Sequence, residues 1–315
     1  MPIKLSGNLS MLNDIVAEFG GTTPHKISEY YSEGTLPASG HIKFSDFYGQ
    51  SASARTTINL TLSSNTNNYN IYSNRGGSYT AGTSDIILTI NSGVNVGSTS
   101  TASYSLDTGS GWSSGDTIAI INNGAVRGRG GNGGAGGAAN APNSATAGGN
   151  GSTGGPAFRA QFAVSITNNG IFAGGGGGGG GCGGHISYIG KTNEYESRGG
   201  GGGGGGAGVN GGSGGAGGGA TGATNPFLNF SGSAGAAGTA TAGGAGGGMG
   251  QSGILHQGRG GAGGGPGTDG SSGINDTDAY HRKGAVGSGG TRGYYAQGNS
   301  NITWTTTGTR QGRVS

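Results

Sequence analysis

The spacing of apolar residues changes along this chain. In residues 8–19 apolar side chains recur at helical intervals, and two glycines follow. This pattern predicts a small N-terminal helix that ends at Gly20 and Gly21. From residue 51 to residue 125, apolar and polar positions alternate instead, as in residues 85–90 and 117–121. Because Gly, Asn and Ser separate these stretches, we expect an antiparallel β region of moderate size.

The first 50 residues also contain a short amphipathic piece at 27–31 and an apolar cluster at 42–48. Two interpretations stand side by side: a minor N-terminal cap, or a docking module that joins the protein to a larger assembly. The residues expected to make such an attachment are Leu12, Ile15, Phe19, Tyr30 and Tyr31.

An internal repeat joins the β region to the glycine-rich part of the chain. Residues 118–128 are echoed by residues 164–174, and in both a strand-like stretch meets Asn-Asn-Gly. This tripeptide suits a tight turn because Asn and Gly accept positive φ values. A short apolar stretch follows, and a glycine run then begins. The repeat predicts that the glycine runs leave β-structure at defined places.

The glycine runs keep a period of three residues. Between residues 128 and 138, two positions of each period are glycine, and the third reads Arg129, Asn132, Ala135 and Ala138. The stretch 199–217 also keeps an unbroken glycine lane. A polyglycine II helix has three residues per turn and no internal hydrogen bonds, so its bare faces can exchange N–H···O=C bonds with neighbours. We therefore expect a packed bundle of runs.

Two runs, 174–181 and 199–206, contain only glycine. Since no face of these runs carries a side chain, both are expected at the centre of the bundle. An alanine at Gly178 should then abolish folding, whereas an alanine at Arg129 should be tolerated. The predicted scaffold core is Gly174, Gly178, Gly181, Gly199, Gly202 and Gly205.

Aromatic and titratable side chains gather in the segments between the runs. On a rigid scaffold such residues suit recognition, although they could instead pack back onto the ends of the bundle. If the chain turns at residues 209–210, segments 138–147, 185–198, 220–242 and 268–283 share one end, and 251–257 lies at the other. The candidate recognition residues are His185, Tyr188, Tyr195, Phe227, Leu228, Phe230, Tyr280 and His281.

Composition excludes several function classes. The 315 residues include 83 Gly and only 16 Lys or Arg, so a net charge of +3 is too dilute for nucleic-acid binding. The single Cys182 leaves neither a disulfide framework nor a Cys/His metal set. No secretory signal is evident after Met1, and no run of about 18 apolar residues predicts membrane insertion.

Catalytic motifs fail in their context. Gly-x-Gly-x-x-Gly recurs, but no strand–helix unit surrounds it. Residues 269–280 resemble a calcium loop except that Tyr280 stands where a bidentate Glu is required. Ser, Asp and His residues at 271–281 lack the elbow and oxyanion donors of a hydrolase. We expect no enzyme, no cofactor and no metal.

Two phrases resemble a known family. Gly-Trp-Ser-Ser-Gly-Asp-Thr-Ile-Ala-Ile-Ile-Asn-Asn-Gly at 111–124 and Asn-Ile-Thr-Trp-Thr-Thr-Thr-Gly-Thr-Arg-Gln-Gly at 301–312 are similar to glycine-rich phage tail proteins, above all T-even-type tail-fibre adhesins. The resemblance is specific in residues 111–137, 164–181 and 300–312 and does not extend to residues 1–50. It implies a polyglycine II sandwich whose variable loops bind a bacterial outer-membrane protein or surface polysaccharide.

These observations predict a mainly β and irregular fold. Its parts are an N-terminal attachment segment (1–50), a β-rich domain (51–127), a polyglycine II domain with loops (128–293) and a C-terminal strand (294–315) that packs back on the β region. The predicted function is a non-enzymatic phage adhesin, made in the host cytoplasm and carried on the virion tail or tail fibre beside other tail proteins. The alternative is a structural tail, fibre or baseplate protein whose loops make subunit contacts. A homo-oligomer is left open.

Overall fold

The computed structural model describes residues 3–4, 6–33, 36–49, 55–189, 194–251, 257–277 and 282–315. The N-terminal helical segment is π-helical over Met11–Val16 and α-helical over Ala17–Phe19. It begins three residues later than expected, because the Ser10 hydroxyl caps it by accepting from the Asn13 N–H at 3.2 Å. Single 3-10 turns lie at Ile27–Tyr30, Phe44–Phe47, Tyr72–Asn74, Pro226–Leu228 and Asn299–Asn301.

Most regular structure in the described residues is β, which confirms the coarse prediction. The strands are β1 Thr56–Leu62, β2 Thr66–Asn67, β3 Tyr69–Asn70, β4 Ser84–Ile90, β5 Asn95–Gly97, β6 Leu106–Asp107, β7 Thr117–Asn122, β8 Ala125–Arg127, β9 Ala139–Asn140, β10 Ser144–Ala145, β11 Phe158–Arg159, β12 Val164–Asn168, β13 Ile171–Ala173, β14 His185–Ile189, β15 Glu194–Arg198, β16 Ala220–Thr221, β17 Asn229–Phe230, β18 Arg282–Lys283, β19 Tyr294–Gln297, β20 Ile302–Thr306, β21 Thr309–Gln311 and β22 Arg313–Val314.

The expected antiparallel β region is wrong, because these strands pair in parallel. Three five-stranded sheets have the orders β1-β4-β7-β12-β20, β2-β5-β8-β13-β21 and β3-β6-β11-β19-β22. Each sheet takes one strand from each successive coil, so the chain winds as a parallel β-helix. Coil 1 holds β1–β3, coil 2 holds β4–β6, coil 3 holds β7, β8 and β11, coil 4 holds β12, β13 and β19, and coil 5 holds β20–β22. The short connections turn corners and do not reverse the chain.

Alternating apolar side chains fill the interior of the coils. Strand β4 buries every second residue, and β7 and β12 do the same. Residues in equivalent positions stack from coil to coil: Ile86 pairs with Ile118, and Ile120 pairs with Ile166. Phe158 and Phe172 also belong to this core, and their rings pack edge to face with centroids 5.7 Å apart. The composition changes at residue 127, but the coils continue through residues 158–173 and 294–315.

The repeated Asn-Asn-Gly forms a corner of the coils, and the expectation of positive φ there is wrong. None of its residues, in either copy, has a positive φ. Glycine is needed for another reason: a Cβ at Gly124 would lie 2.7 Å from the Asn91 carbonyl oxygen of the coil before it. The first asparagines of the two copies stack, with Asn122 Nδ2 donating to Asn168 Oδ1 at 2.9 Å. The repeat therefore reflects two adjacent coils.

Glycine-rich runs leave coils 3 and 4 and pack side by side. In order they are runs 1 (128–138), 2 (146–156), 3 (174–184), 4 (199–208), 5 (211–219), 6 (231–239), 7 (242–250), 8 (257–265), 9 (268–275) and 10 (284–293). Their backbone N–H groups donate to neighbouring runs at three-residue intervals. Gly131, Gly134 and Gly137 donate to run 3 at 2.8–2.9 Å, for example.

Runs 3 and 4, which contain the octaglycines, lie buried at the centre of the bundle. The backbone N–H groups of run 3 donate to runs 2, 4 and 9, one run on each of its three faces. Its carbonyl oxygens accept from runs 1, 8 and 10. In the same way, the N–H groups of run 4 donate to runs 1, 6 and 8, and its carbonyl oxygens accept from runs 3, 5 and 7. All three faces of each run are therefore occupied by backbone.

The expected division of loops between the two ends of the bundle is wrong. The chain does turn at residues 209–210, since Gly212, Gly215 and Gly218 donate back to run 4 in antiparallel order. It also turns sharply at 240–241 and 266–267, so the segments 220–242 and 268–283 each contain a glycine run. Gly250 and Gly258, which flank segment 251–257, lie at the same end as the other long loops, because Gly250 donates to Gly199, next to β15, and Met249 donates to Gly258. Residues 252–256 themselves lie outside the described residues.

Candidate functional site

The described parts of the long loops meet at one end of the bundle, the loop end: residues 139–145, 185–189, 194–198, 220–230, 251, 257, 276–277 and 282–283. The opposite end rests on the β-helix, where Asn210 Nδ2 donates to Asn67 Oδ1 at 2.9 Å. Each run spans about 30 Å at 3.1 Å per residue. The loops are therefore held far from the coils on a scaffold made of backbone.

Two small sheets organise the loop end. Strands β14 and β15 form an antiparallel hairpin, flanked by β17 and β18. Strands β10, β9 and β16 form the second sheet. The Ser197 hydroxyl links the two sheets, since it accepts from the Ala141 N–H at 3.0 Å and donates to the Thr221 carbonyl oxygen. Loops that are far apart in sequence thus form one surface.

Phe227 is the most exposed large apolar side chain among the described residues, at 85%. It sits in the 3-10 turn Pro226–Leu228, which Asn225 caps by accepting from the Phe227 N–H at 3.1 Å. Pro226 restricts the backbone further, so the turn presents the ring in a fixed place. Leu228 and Phe230, which follow it in the chain, are half-buried.

A tyrosine pair stands on the neighbouring hairpin. Tyr188 and Tyr195 face each other across β14 and β15 with ring centroids 4.9 Å apart. The Tyr195 hydroxyl donates to the Tyr188 hydroxyl at 3.4 Å, and this contact raises the pKa of Tyr195. Tyr188 is 49% exposed. Both rings are available at the surface with little entropy left to lose on binding.

His185 lies beneath this surface and is fully buried. Burial, the largest influence, lowers the pKa of His185 and favours its neutral form. It belongs to a buried ionic cluster with Glu196, Arg198 and Asp276, in which Arg198 Nη2 lies 2.6 Å from Glu196 Oε2 and Arg198 Nη1 lies 3.8 Å from Asp276 Oδ2. The cluster ties the start of the hairpin to the loop after run 9.

Sequence reasoning missed Glu196, Arg198 and Asp276. The signal was the spacing of two between Glu196 and Arg198, which places both on one face of β15. Of the other recognition candidates, Tyr280 and His281 lie outside the described residues. The scaffold glycines 174, 178, 181, 199, 202 and 205 all lie in runs 3 and 4 and are buried.

The N-terminal candidates surround a separate small core. Ile15 and Tyr30 are buried in it beside Phe47, and Phe19 packs on its edge. Leu12 is 63% exposed. The Tyr31 hydroxyl donates to the Gly40 carbonyl oxygen, which holds that half-buried ring in place.

Within the part of the chain that the structure describes, no helix is long and apolar enough to span a membrane. The same residues bring together no set of three His, Cys, Asp or Glu side chains able to hold a metal ion. The chemistry that the loop end offers is aromatic contact and hydrogen bonding.

Comparison with known proteins fits this arrangement. The family model described as phage tail fibre adhesin Gp38 matches residues 57–315. Among solved structures, the gp37–gp38 adhesin tip complex of the bacteriophage S16 long tail fibre is similar, with a TM-score of 0.45 and 23% identity over 95% of this chain and 96% of that chain. No curated protein sequence matches the chain. Since the family model extends from coil 1 to the C-terminal residue, the protein belongs to the phage tail fibre adhesin Gp38 family, whose members are non-enzymatic adhesins of the virion.

Proposed function

We propose that the loop end is the surface through which this adhesin binds its receptor. The observation that carries the proposal is the exposure of Phe227, 85%, on a turn fixed by Pro226 and the Asn225 cap. An exposed aromatic ring on a rigid turn is a typical binding hot spot, because it buries a large area at small entropic cost. Leu228 and Phe230 extend the apolar patch around it.

Tyr188 and Tyr195 form a second contact region on the same end. Their cross-strand stacking holds both rings in place, and each hydroxyl adds a polar group for hydrogen bonding. His185 has no direct contact role in this proposal, because it lies below the surface. Its part is to support the hairpin from beneath, together with Arg198.

We infer that the glycine runs are polyglycine II helices and that they serve as a rigid stalk for the loops. Three-residue hydrogen-bond spacing supports this assignment, as do the buried octaglycines of runs 3 and 4. A scaffold held mainly by backbone hydrogen bonds between its runs leaves the loop sequences free to vary. Preorganised loops then lose less entropy on binding.

The receptor in this proposal is an outer-membrane protein or a surface polysaccharide of the bacterium. Aromatic rings flanked by hydroxyl and amide groups suit either class. Several adhesins on one virion would strengthen weak individual contacts through multivalency.

The N-terminal segment is proposed to join the adhesin to another fibre protein. Leu12 and Phe44 are exposed at 63% and 42% on this small unit. Beside Phe44 lies a cavity of about 410 Å³ that Leu9 and Tyr48 also line. Exposed apolar residues beside a cavity are typical of a protein–protein contact.

Adsorption competition tests the receptor-binding surface. Purified protein should coat susceptible cells and block infection by the phage, and Phe227→Ser should abolish blocking without changing the melting temperature. Val314→Ser is the matched control, since Val314 is also an exposed apolar residue, 45%, but lies in coil 5. Equal blocking by both variants would contradict the proposal. If the protein binds no susceptible strain yet binds another virion protein through the loop end, the loops make subunit contacts.

A further inference from the structure

A second candidate site lies on the β-helix, at the corner where coils 2 to 5 stack. A groove of about 430 Å³ runs along this corner. Gly124 and Gly170 at the corner also line it, and a Cβ on either would meet the backbone of the coil before it. Its polar lining comes from four successive coils: Asn95, Asn123, Arg127, Asn169 and Thr309.

The side chains of the groove are in place before any ligand binds. Asn169 Nδ2 donates to Asn123 Oδ1 at 2.9 Å, so the two exposed amides form a ladder along the coils. Each amide keeps one group, a donor on Asn123 and an acceptor on Asn169, for a further partner. Ile171 gives the groove a partly apolar floor.

Arg127 is the unusual member of this lining. It is half-buried, and its one side-chain hydrogen bond to a described residue runs from Nη1 to Asn95 Oδ1 at 2.9 Å. Its Nε is buried and has no hydrogen-bond partner. No carboxylate of the described residues pairs with it, and burial lowers the pKa of Arg127 without any acidic neighbour to oppose that effect. A partly buried guanidinium that no carboxylate of the described residues pairs with favours an anion beside it.

We propose that this groove binds an acidic glycan, with Arg127 pairing a carboxylate or phosphate group and the asparagine ladder binding the hydroxyls. Coils repeat at about 4.8 Å, so the lining spans roughly 14 Å, which suits a chain of sugars better than a single ion. A peptide fits less well. β5, β8 and β13 are paired on both sides in their sheet, so only the edge strand β21 could take an added strand.

This site is separate from the loop end. Arg127 ends β8, where run 1 begins, and the length of a run separates it from the loops. Binding at the groove would hold the adhesin to an acidic polysaccharide layer while the loops search for the receptor. The two sites can therefore be inactivated independently.

Calorimetric titration with defined oligosaccharides tests the proposal. The intact protein is titrated with a panel of acidic oligosaccharides (hexuronate, sialylated and phosphorylated), with a neutral glucan of equal length, and with hexaglutamate. We expect saturable binding of an acidic member that weakens with added salt, and no binding of the neutral glucan. Arg127→Gln should lower that affinity at least about tenfold, as loss of a charged hydrogen bond predicts.

The control is Arg129→Gln, which removes the same charge from a side chain that already donates to the Thr99 carbonyl oxygen at 2.9 Å outside the groove. Asn123→Ala and Asn169→Ala should weaken binding further, and Phe227→Ser should not affect it. Melting temperatures establish that each variant folds. The proposal is overturned if no acidic oligosaccharide binds saturably, if Arg127→Gln binds as wild type, or if hexaglutamate binds more tightly than every glycan.

Discussion

A single methyl group at Gly178 should break the bundle. In run 3, a Cβ built at Gly178 falls against the Asn132 carbonyl, far inside the 3.0 Å below which real Cβ atoms essentially never approach another atom. The atoms it meets are backbone, which cannot rotate away. Relief therefore requires run 1 and run 3 to separate by more than about 1 Å, given ordinary van der Waals contact distances.

The expected magnitude follows from the hydrogen bonds between these two runs. Gly131, Gly134 and Gly137 donate to run 3 at 2.8–2.9 Å, and a shift of that size takes these bonds beyond hydrogen-bonding range. Leaving buried backbone groups unpaired costs about 1–3 kcal/mol each, so the three bonds together are worth roughly 3–9 kcal/mol. Typical domains are stable by only about 5–15 kcal/mol, so Gly178→Ala should unfold the protein or lower its melting temperature severely.

Thermal unfolding followed by circular dichroism measures this effect. The matched control is Gly219→Ala, because a Cβ at Gly219 meets nothing within 4 Å. The control should change stability by less than about 1 kcal/mol. If Gly178→Ala and Gly219→Ala expressed equally well and melted at the same temperature, the closeness of the packed runs could not be what stabilises the bundle.

Three further predictions concern other parts of the molecule. Asp116 accepts from the Tyr79 hydroxyl and from the N–H groups of Gly82, Ser84 and Ser113 at 2.6–3.2 Å, so Asp116→Ala should cost about 3 kcal/mol or more in a denaturant melt. Asp116→Asn, which keeps an acceptor oxygen, should cost less; equal losses would refute this account. Since burial lowers the pKa of His185, the unfolded chain binds its proton more tightly, and stability should fall as pH drops below about 6.5. His185→Gln should reduce that loss of stability between about pH 6.5 and 5. Leu12→Ser should reduce incorporation into virions, measured by immunoblot of purified particles, without altering cell binding by the free protein; unchanged incorporation would remove Leu12 from the attachment surface.

Two sequence signals identified much of the architecture. The alternation of apolar residues located the strands and their buried faces, as in β1, β4 and β7. Period-three lanes distinguished bare faces from faces with side chains, and the octaglycines lie in the central runs 3 and 4. Both signals are local, because each reports which side of one segment is buried.

What the sequence could not supply was pairing between distant segments. A half-buried strand alternates in the same way whether its neighbours are parallel or antiparallel, so the β-helix was missed. The Asn-Asn-Gly repeat pointed to it, since two copies of one corner predict two stacked coils. Which loops share an end depended on turns at 240–241 and 266–267 that interrupt the glycine pattern only weakly.

The burial of His185 shows the same limit at the loop end. A histidine that opens a loop is expected to be exposed, yet its position opposite Arg198 in the hairpin places it over Asp276 and under the surface aromatics. Phe227, by contrast, lies at the surface in the turn that its neighbour Pro226 favours.

Hydrogen–deuterium exchange of the free and receptor-bound adhesin tests the central claim most directly. The protein is incubated with outer-membrane vesicles from a susceptible strain and from a resistant one, and protection is mapped by peptide. Protection specific to the susceptible vesicles is expected at residues 185–189, 194–198 and 220–230, with no difference between the two kinds of vesicle in coils 1 to 5 or residues 6–49. Protection at residues 6–49 or in the coils, with the loop end exchanging as in the free protein, would contradict the assignment of the loop end as the receptor-binding surface.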